Sequence, residues 1–315
     1  MFNEKQKLDY IKLKQNKMNT TDVTKSLANM FEKTSEAEER LGKDLCDFST
    51  KEILDCYKSM KSKSLETLLK INIQFQAYAM ECSGDNKEFR SITYEQLMEC
   101  LEPADDYLTR KELLAKIKSL ENSGDKFIVL ALFEGICGSM MEYLSVFTAD
   151  NLHKTKENTF VFNIGGETIE YKISKELYQL AKDAINEYEY YSDSRALTYN
   201  KGDKRALKAM NNAYSELGQE SKVGRYHNLA NRLLKIKNKL KLNIVSRNGL
   251  LENGRLDLIK NLMIQQKVDN PREVILNKDN RKIIEERYGQ LQSVKRFLLK
   301  YEDVILNMVK RETKT

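Results

Sequence analysis

Only two prolines, Pro103 and Pro271, occur in a chain of 315 residues. Proline is the residue that most reliably ends a helix, because it has no amide hydrogen and its ring clashes with the preceding turn. A chain so poor in it can run helix after helix with few forced breaks, and a mainly α fold is the expectation. At this length there is room for two domains of ordinary size. Charged residues at 32% and apolar ones at 41% fit a soluble globular protein with a helix-favouring composition.

Local signals place the helices. Thr20 and Thr21 stand before Val23, Leu27, Met30 and Phe31, which recur at helical spacing. Ser49 with Glu52 forms a capping-box pattern ahead of Ile53, Leu54 and Tyr57. Ser64 precedes an apolar run in which Leu68, Leu69, Ile71, Phe75 and Tyr78 share a face. Thr93 caps a short helix carrying Leu97 and Met98. The acids and the proline of Leu101-Glu102-Pro103-Ala104-Asp105-Asp106 mark a break, so residues 1–105 and 106–315 are expected to be separate domains. Thr109 and Glu112 open the second with another capping box.

After about residue 152 the periodicity changes from helical to alternating. Thr159–Asn163 and Glu167–Ile173 read as strands flanking Ile164-Gly165-Gly166, a hairpin signal. Ser174 then starts a helix expected to reach about Tyr191, and helical patterns continue to the end with breaks near Gly202, Gly218, Gly224, Gly249, Gly254 and Pro271. The expected fold class is mainly α with a small β-hairpin. A C-terminal helix from Ile283 to Val309 is expected to pack in cis, donation to a neighbouring copy being the alternative.

Several functional classes are set aside. The start, MFNEKQKLDYIKLKQNK, has no apolar core of signal-peptide type. The longest dense apolar stretch, Phe127–Phe133, is far too short for a membrane span. Five cysteines, Cys46, Cys56, Cys82, Cys100 and Cys137, occur without a CxxC pair; this reads as reduced thiols in a cytosolic compartment, with no disulfide frame and no zinc site. Two histidines, His153 and His227, make a His-rich metal centre unexpected.

The net charge of +6 decides little, but its placement does. From Ser221 to Leu251 there are eight lysines and arginines and no acid, in a chain with 47 acids. Tyr226, Leu229, Leu233, Ile236 and Leu240 alternate three and four apart, the mark of an amphipathic helix. Arg225, Arg232, Lys235 and Lys239 fall within an arc of roughly 80° beside that stripe, with Lys237, Lys241 and Arg247 in the same segment. A solvated helix face is the plain alternative, yet such faces usually mix both signs. Phosphate binding is the better reading, and predicts affinity that falls steeply with salt. Lys58, Lys61 and Lys63, at the start of the Ser64 helix, form a second candidate. Lys201, Lys204, Arg205 and Lys208 form a weaker one, since Asp203 lies among them.

The order of elements (helical domain, apolar helix pair, β-hairpin, further helices) resembles the tyrosine recombinase, or phage integrase, family from about residue 45 to residue 300. The sharpest part is Phe127–Ser139, similar to the family's helix ending in Gly-Leu-Arg. The resemblance implies a core-binding (SAM-like) first domain and a catalytic-type second domain. It also implies chemistry in which two arginines and a histidine or lysine hold the scissile phosphate while a tyrosine attacks it. The first family arginine falls on Cys137, whose thiol offers no cationic fork, and the following glutamate on Met140. The hairpin turn Asn163-Ile164-Gly165-Gly166 has no lysine; Lys154, Lys156 and Lys172 are the nearest. The family's His-x-x-Arg falls on Asn248 and Leu251, unless Arg247 or Arg255 serves as the second arginine. Only the nucleophile has a counterpart, Tyr288 with Tyr301 as alternative, and ordinary packing at a helix end explains Tyr288 as well.

The stretches Ser62–Leu68, Ala131–Ile136 and Asn248–Leu256 further resemble the integrase-like master repressors of SPβ-like Bacillus prophages. The resemblance implies sequence-specific binding to double-stranded DNA operators, repression that maintains lysogeny, no cofactor and no strand cleavage. Its DNA contacts would come from Lys58, Lys61, Lys63, Arg225, Arg232, Lys235, Lys237, Lys239, Lys241, Arg247 and Arg255. A homodimer is the expected state, since inverted repeats are efficiently read by two-fold assemblies. The expected site of action is the bacterial cytosol at the nucleoid, with phage-encoded protein regulators as further partners. The alternatives are an active recombinase using Tyr288 and an accessory recombination protein.

Overall fold

The computed structural model describes residues 2–18, 21–62, 65–102, 107–154, 157–192, 195–199, 203–208, 222–291 and 293–313. Lys63, Ser64, Pro103, Lys156, Lys201 and Ser221 lie outside them, as does the Thr20 cap. The chain divides into two compact units, Met1–Ala104 and Asp105–Thr315.

The first unit is helical: α1 (Glu4–Met18), α2 (Thr21–Leu41), α3 (Thr50–Ser59), α4 (Leu65–Ser83), α5 (Lys87–Arg90) and α6 (Tyr94–Glu99). The capping boxes at Ser49/Glu52 and Thr93/Gln96 are both formed. The apolar faces of α2, α3 and α4 converge on an aromatic core. Phe31 and Tyr78 meet edge-on at 4.8 Å and Tyr10 meets Tyr78 at 5.2 Å, geometries favoured by the ring quadrupoles. Helix α1, which the sequence reading did not anticipate, is tied to α2 by Lys7 and Glu38, 2.5 Å apart and both fully buried. Glu38 also accepts from the Leu45 amide at 2.9 Å and the Thr34 hydroxyl at 2.9 Å, so the pair leaves little polar capacity unmet, as a buried ion pair requires.

The second unit is built around one buried helix. It contains α7 (Arg110–Ile117), α8 (Ser123–Phe133), α9 (Glu142–Ser145), β1 (Leu152–Lys154), β2 (Asn158–Ile164), β3 (Glu167–Lys172), α10 (Lys175–Ile185), β4 (Glu189–Ser192), β5 (Arg195–Thr198), α11 (Lys222–Leu240), α12 (Arg247–Gln266), α13 (Pro271–Leu276), α14 (Lys278–Tyr288) and α15 (Val294–Thr313). The apolar run Phe127–Phe133 is entirely buried, and α7, α10, α11 and α12 pack on it. The antiparallel order is β1-β2-β3. Asn163 pairs Thr168 and Ile164 pairs Glu167, so the loop is Gly165-Gly166 with φ of 62° and 83°. Two successive left-handed residues make the hairpin turn that matches strand twist, and glycine adopts them without strain. Phe160 and Phe162 turn inward against Phe147.

Four expectations are corrected. The helix from Ser174 ends at Ile185, and the ribbon β4–β5 follows it; Asn122 holds that ribbon by bonding both the amide (2.7 Å) and the carbonyl (2.9 Å) of Tyr191, a contact that only tertiary packing creates. The segment 221–251 is two helices, not one, with Ser246 capping the second through the Gly249 amide at 3.0 Å. The C-terminal helix is likewise two, α14 stopping at Gly289; α15 packs in cis on α12 and α13. Finally, Gly224, Gly249 and Gly254 are helical, not breaks. A Cβ at Gly254 would stand 1.7 Å from the Phe133 carbonyl oxygen, so this glycine allows α12 to cross α8 backbone against backbone.

Candidate nucleic-acid interface

The buried stripe of α11 is the one expected: Leu229, Leu233 and Ile236 are in the core. The cations beside it separate into two groups. Arg232 is not presented to a partner; its side chain is 10% exposed and its Nε donates to Asp125 Oδ1 at 2.5 Å. Its Nη2 donates to the Tyr199 hydroxyl at 3.3 Å and the guanidinium lies over the Tyr190 ring at 5.1 Å. The reason is positional: on an ideal helix Arg232 lies only roughly 40° from Ile236, close enough to be drawn into the core if a carboxylate waits there. Arg255 is also withdrawn. It pairs with Glu252 at 3.2 Å and donates to the Tyr288 carbonyl, closing the end of α14. Helix ends leave such carbonyls without intrahelical donors. Lys239 pairs with Glu121 at 3.3 Å, and Arg225 is half-buried.

Lys235, Lys237, Lys241 and Arg247 have no carboxylate within ion-pair distance among the described residues. Lys237 lies in the last turn of α11, Lys241 just beyond it and Arg247 at the start of α12, at a corner that the Leu242 amide closes by donating to the Lys237 carbonyl at 3.3 Å. In the first unit Lys58 and Lys61 are exposed, Lys58 in the last turn of α3 and Lys61 just beyond it.

The positions aligned with recombinase chemistry hold other contacts. Cys137 is 5% exposed. Arg247 Nε donates to its Sγ at 3.2 Å, while the guanidinium also reaches the Gly138 carbonyl and Asn248 Oδ1, each at 3.5 Å. A guanidinium therefore lies beside the aligned arginine position, brought in from α12. Met140 and Met141 follow in left-handed backbone, φ 52° and 56°. Leu251 packs against the main core. The lysine-free hairpin turn is exposed, Lys154 is exposed, and Lys172 pairs with Glu157 at 2.7 Å.

Tyr288 does not project its hydroxyl toward solvent. It donates to the Phe133 carbonyl at 2.9 Å, and Arg287 Nε donates to the neighbouring Glu134 carbonyl at 2.6 Å. The end of α14 thus supplies donors for the open end of α8. Burial pushes the Tyr288 phenol well above its ordinary range, despite the nearby Arg287. Tyr301, the alternative, is buried against Phe297 and Tyr107. Replacing Tyr288 by Phe strands the Phe133 carbonyl and is expected to cost about 1–3 kcal/mol in urea unfolding; a loss below 0.5 kcal/mol, in the range of ordinary surface changes, would contradict this role.

Two groupings were not foreseen. Glu187 accepts from the amides of Ser123 (2.6 Å) and Gly124 (3.2 Å), capping α8, and burial raises its pKa. Glu134, 6% exposed, gathers Arg110 at 3.2 Å, Arg287 at 3.5 Å and the Ser174 amide at 3.1 Å. The one sequence signal for it was an acid ending the most apolar run of the chain.

Residues 1–80 match the family described as "MrpR, N-terminal core-binding domain", and residues 107–311 match "MrpR, C-terminal catalytic domain". The chain is also 27% identical over 171 residues to the SPbeta prophage-derived uncharacterized protein YopR of Bacillus subtilis (strain 168), covering 51% of this chain and 52% of YopR. The chain thus spans about half the length of that curated relative. With both units matched in order and most of the sequence covered, the chain belongs to the MrpR family, a tyrosine-recombinase-like pairing of a core-binding and a catalytic domain.

Proposed function

We propose that this protein is a sequence-specific, double-stranded-DNA-binding transcriptional repressor of a temperate phage, maintaining lysogeny on a recombinase scaffold that no longer cuts DNA. One observation carries the reading. Lys237, Lys241 and Arg247, at the corner of α11 and α12, have no carboxylate within ion-pair distance among the described residues, while the aligned nucleophile Tyr288 spends its hydroxyl on the Phe133 carbonyl. Lys235 on α11 and Lys58 and Lys61 on the first unit add phosphate contacts, which position a protein on the duplex without reading sequence. The prophage origin in the name of the relative supports the phage setting. Action as a homodimer in the bacterial cytosol, under phage-encoded protein regulators, belongs to the same proposal.

Gel-shift titrations across a broad panel of duplexes at fixed salt test it. The expected result is a small set of operators bound at least about a thousandfold more tightly than other DNA; uniform binding of every duplex would sink the repressor reading. A nicked suicide substrate tests the absence of cleavage. Recovery of a covalent Tyr288–DNA adduct would establish the active recombinase instead.

A further inference from the structure

We propose that the groove bounded by α7, α8, α10, α12 and the end of α15 is a docking surface for an acidic amphipathic helix of a partner protein. The groove encloses about 990 Å³ and lies wholly within the second unit. Its floor is apolar, formed by Leu114, Ile117 and Leu180. Its charges are unequally used. Glu176 is held by Arg110 at 3.1 Å, and Asp257 and Glu312 are held by the buried Lys260 at 3.0 and 3.2 Å. Lys111, Lys118 and Lys126, by contrast, have no carboxylate within ion-pair distance among the described residues. The lining holds five cations against three acids, so the groove keeps a net positive charge, and Lys111, Lys118 and Lys126 present it to whatever enters.

The spacing selects the occupant. Lys111, in the first turn of α7, and Lys118, its C-cap, lie seven residues apart around Leu114, which places them about 10.5 Å apart along one side of the helix. A helix with carboxylates seven apart and leucines between them presents the complementary row, and lays its apolar face on the floor in the manner of helix-in-groove recognition. A phosphate backbone matches the lysines but leaves the apolar floor without a partner. This surface is independent of the α11–α12 corner, and its test reads a different ligand.

The full chain is titrated against a fluorescein-labelled synthetic helix carrying Glu at positions seven apart with Leu between, and against the same peptide with Lys for each Glu. Saturable anisotropy is expected for the acidic peptide only. The triple variant Lys111→Glu, Lys118→Glu, Lys126→Glu is expected to weaken it about tenfold or more, with DNA affinity and melting temperature unchanged. Leu180→Arg, which blocks the floor without touching a lysine, is expected to do the same. Equal binding of both peptides, no saturable binding, or insensitivity to both variants overturns the proposal. Loss of DNA binding in the triple variant makes the groove a phosphate surface, and a dimer-to-monomer shift in sedimentation makes its occupant a second copy; either outcome also overturns it.

Discussion

Arg232→Ala is expected to destabilise the second unit by about 3–5 kcal/mol, the usual result of removing one member of a buried ion pair. Asp125 would remain, 6% exposed, and lose its strongest partner, so its carboxylate would carry an uncompensated desolvation cost. The damage extends beyond the pair: the guanidinium packs over Tyr190 and bonds Tyr199, joining α11 to the β4–β5 ribbon. For a domain of this size each kcal/mol moves the melting temperature by roughly 2–4 °C, so a fall on the order of 10 °C should be seen by calorimetry. Lys235→Ala, an exposed neighbour on the same helix, should stay within about 0.5 kcal/mol of the parent. The double variant Arg232→Met, Asp125→Leu should recover much of the loss, because well-packed apolar residues often replace a buried ion pair at little cost. If Arg232→Ala melts with the parent, the residue is a surface cation after all and returns to the DNA-contact set.

Arg232 also marks how far the sequence could be read. Features set by neighbours three or four residues away were legible: the boxes at Ser49 and Thr109, the Thr93 and Ser174 caps, the Gly165-Gly166 hairpin and the α11 stripe all form. Each is a local hydrogen bond or a periodicity, and neither depends on what lies across the core. Features that depend on a distant partner were not legible. Asp125 is 107 residues from Arg232, and nothing within α11 announces that a carboxylate waits at that depth. The same holds for β4–β5, held by Asn122 across 69 residues, and for Gly254, which resembles a helix break in sequence but meets the Phe133 backbone in space. At the candidate site the sequence shows that Cys137 and Leu251 carry no cationic fork. That Arg247 lies against the Cys137 thiol was not legible, since the two are 110 residues apart.

Under the proposed function, duplex affinity should reside in the cations that hold no carboxylate among the described residues. Lys237→Gln, Lys241→Gln and Arg247→Gln combined remove three positive charges at the α11–α12 corner, none of which holds a carboxylate among the described residues. Each phosphate contact contributes about 0.9 to the slope of log affinity against log salt, so the triple variant should flatten that slope by about 2.7. At about 0.1 M salt the same contacts correspond to a loss between a hundredfold and a thousandfold in affinity. Stability should change little, since among the described residues the lysines make no ion pair and Arg247 bonds a thiol, a carbonyl and an amide. The paired residues behave in the opposite way: Arg232→Ala lowers the melting temperature yet leaves the salt slope of the folded fraction as it was. Slope and stability therefore separate the two groups of cations that share one acid-free stretch of sequence. A triple variant that binds duplex with the parental slope would move the interface away from this corner, to Lys235 and the opposite flank of α11.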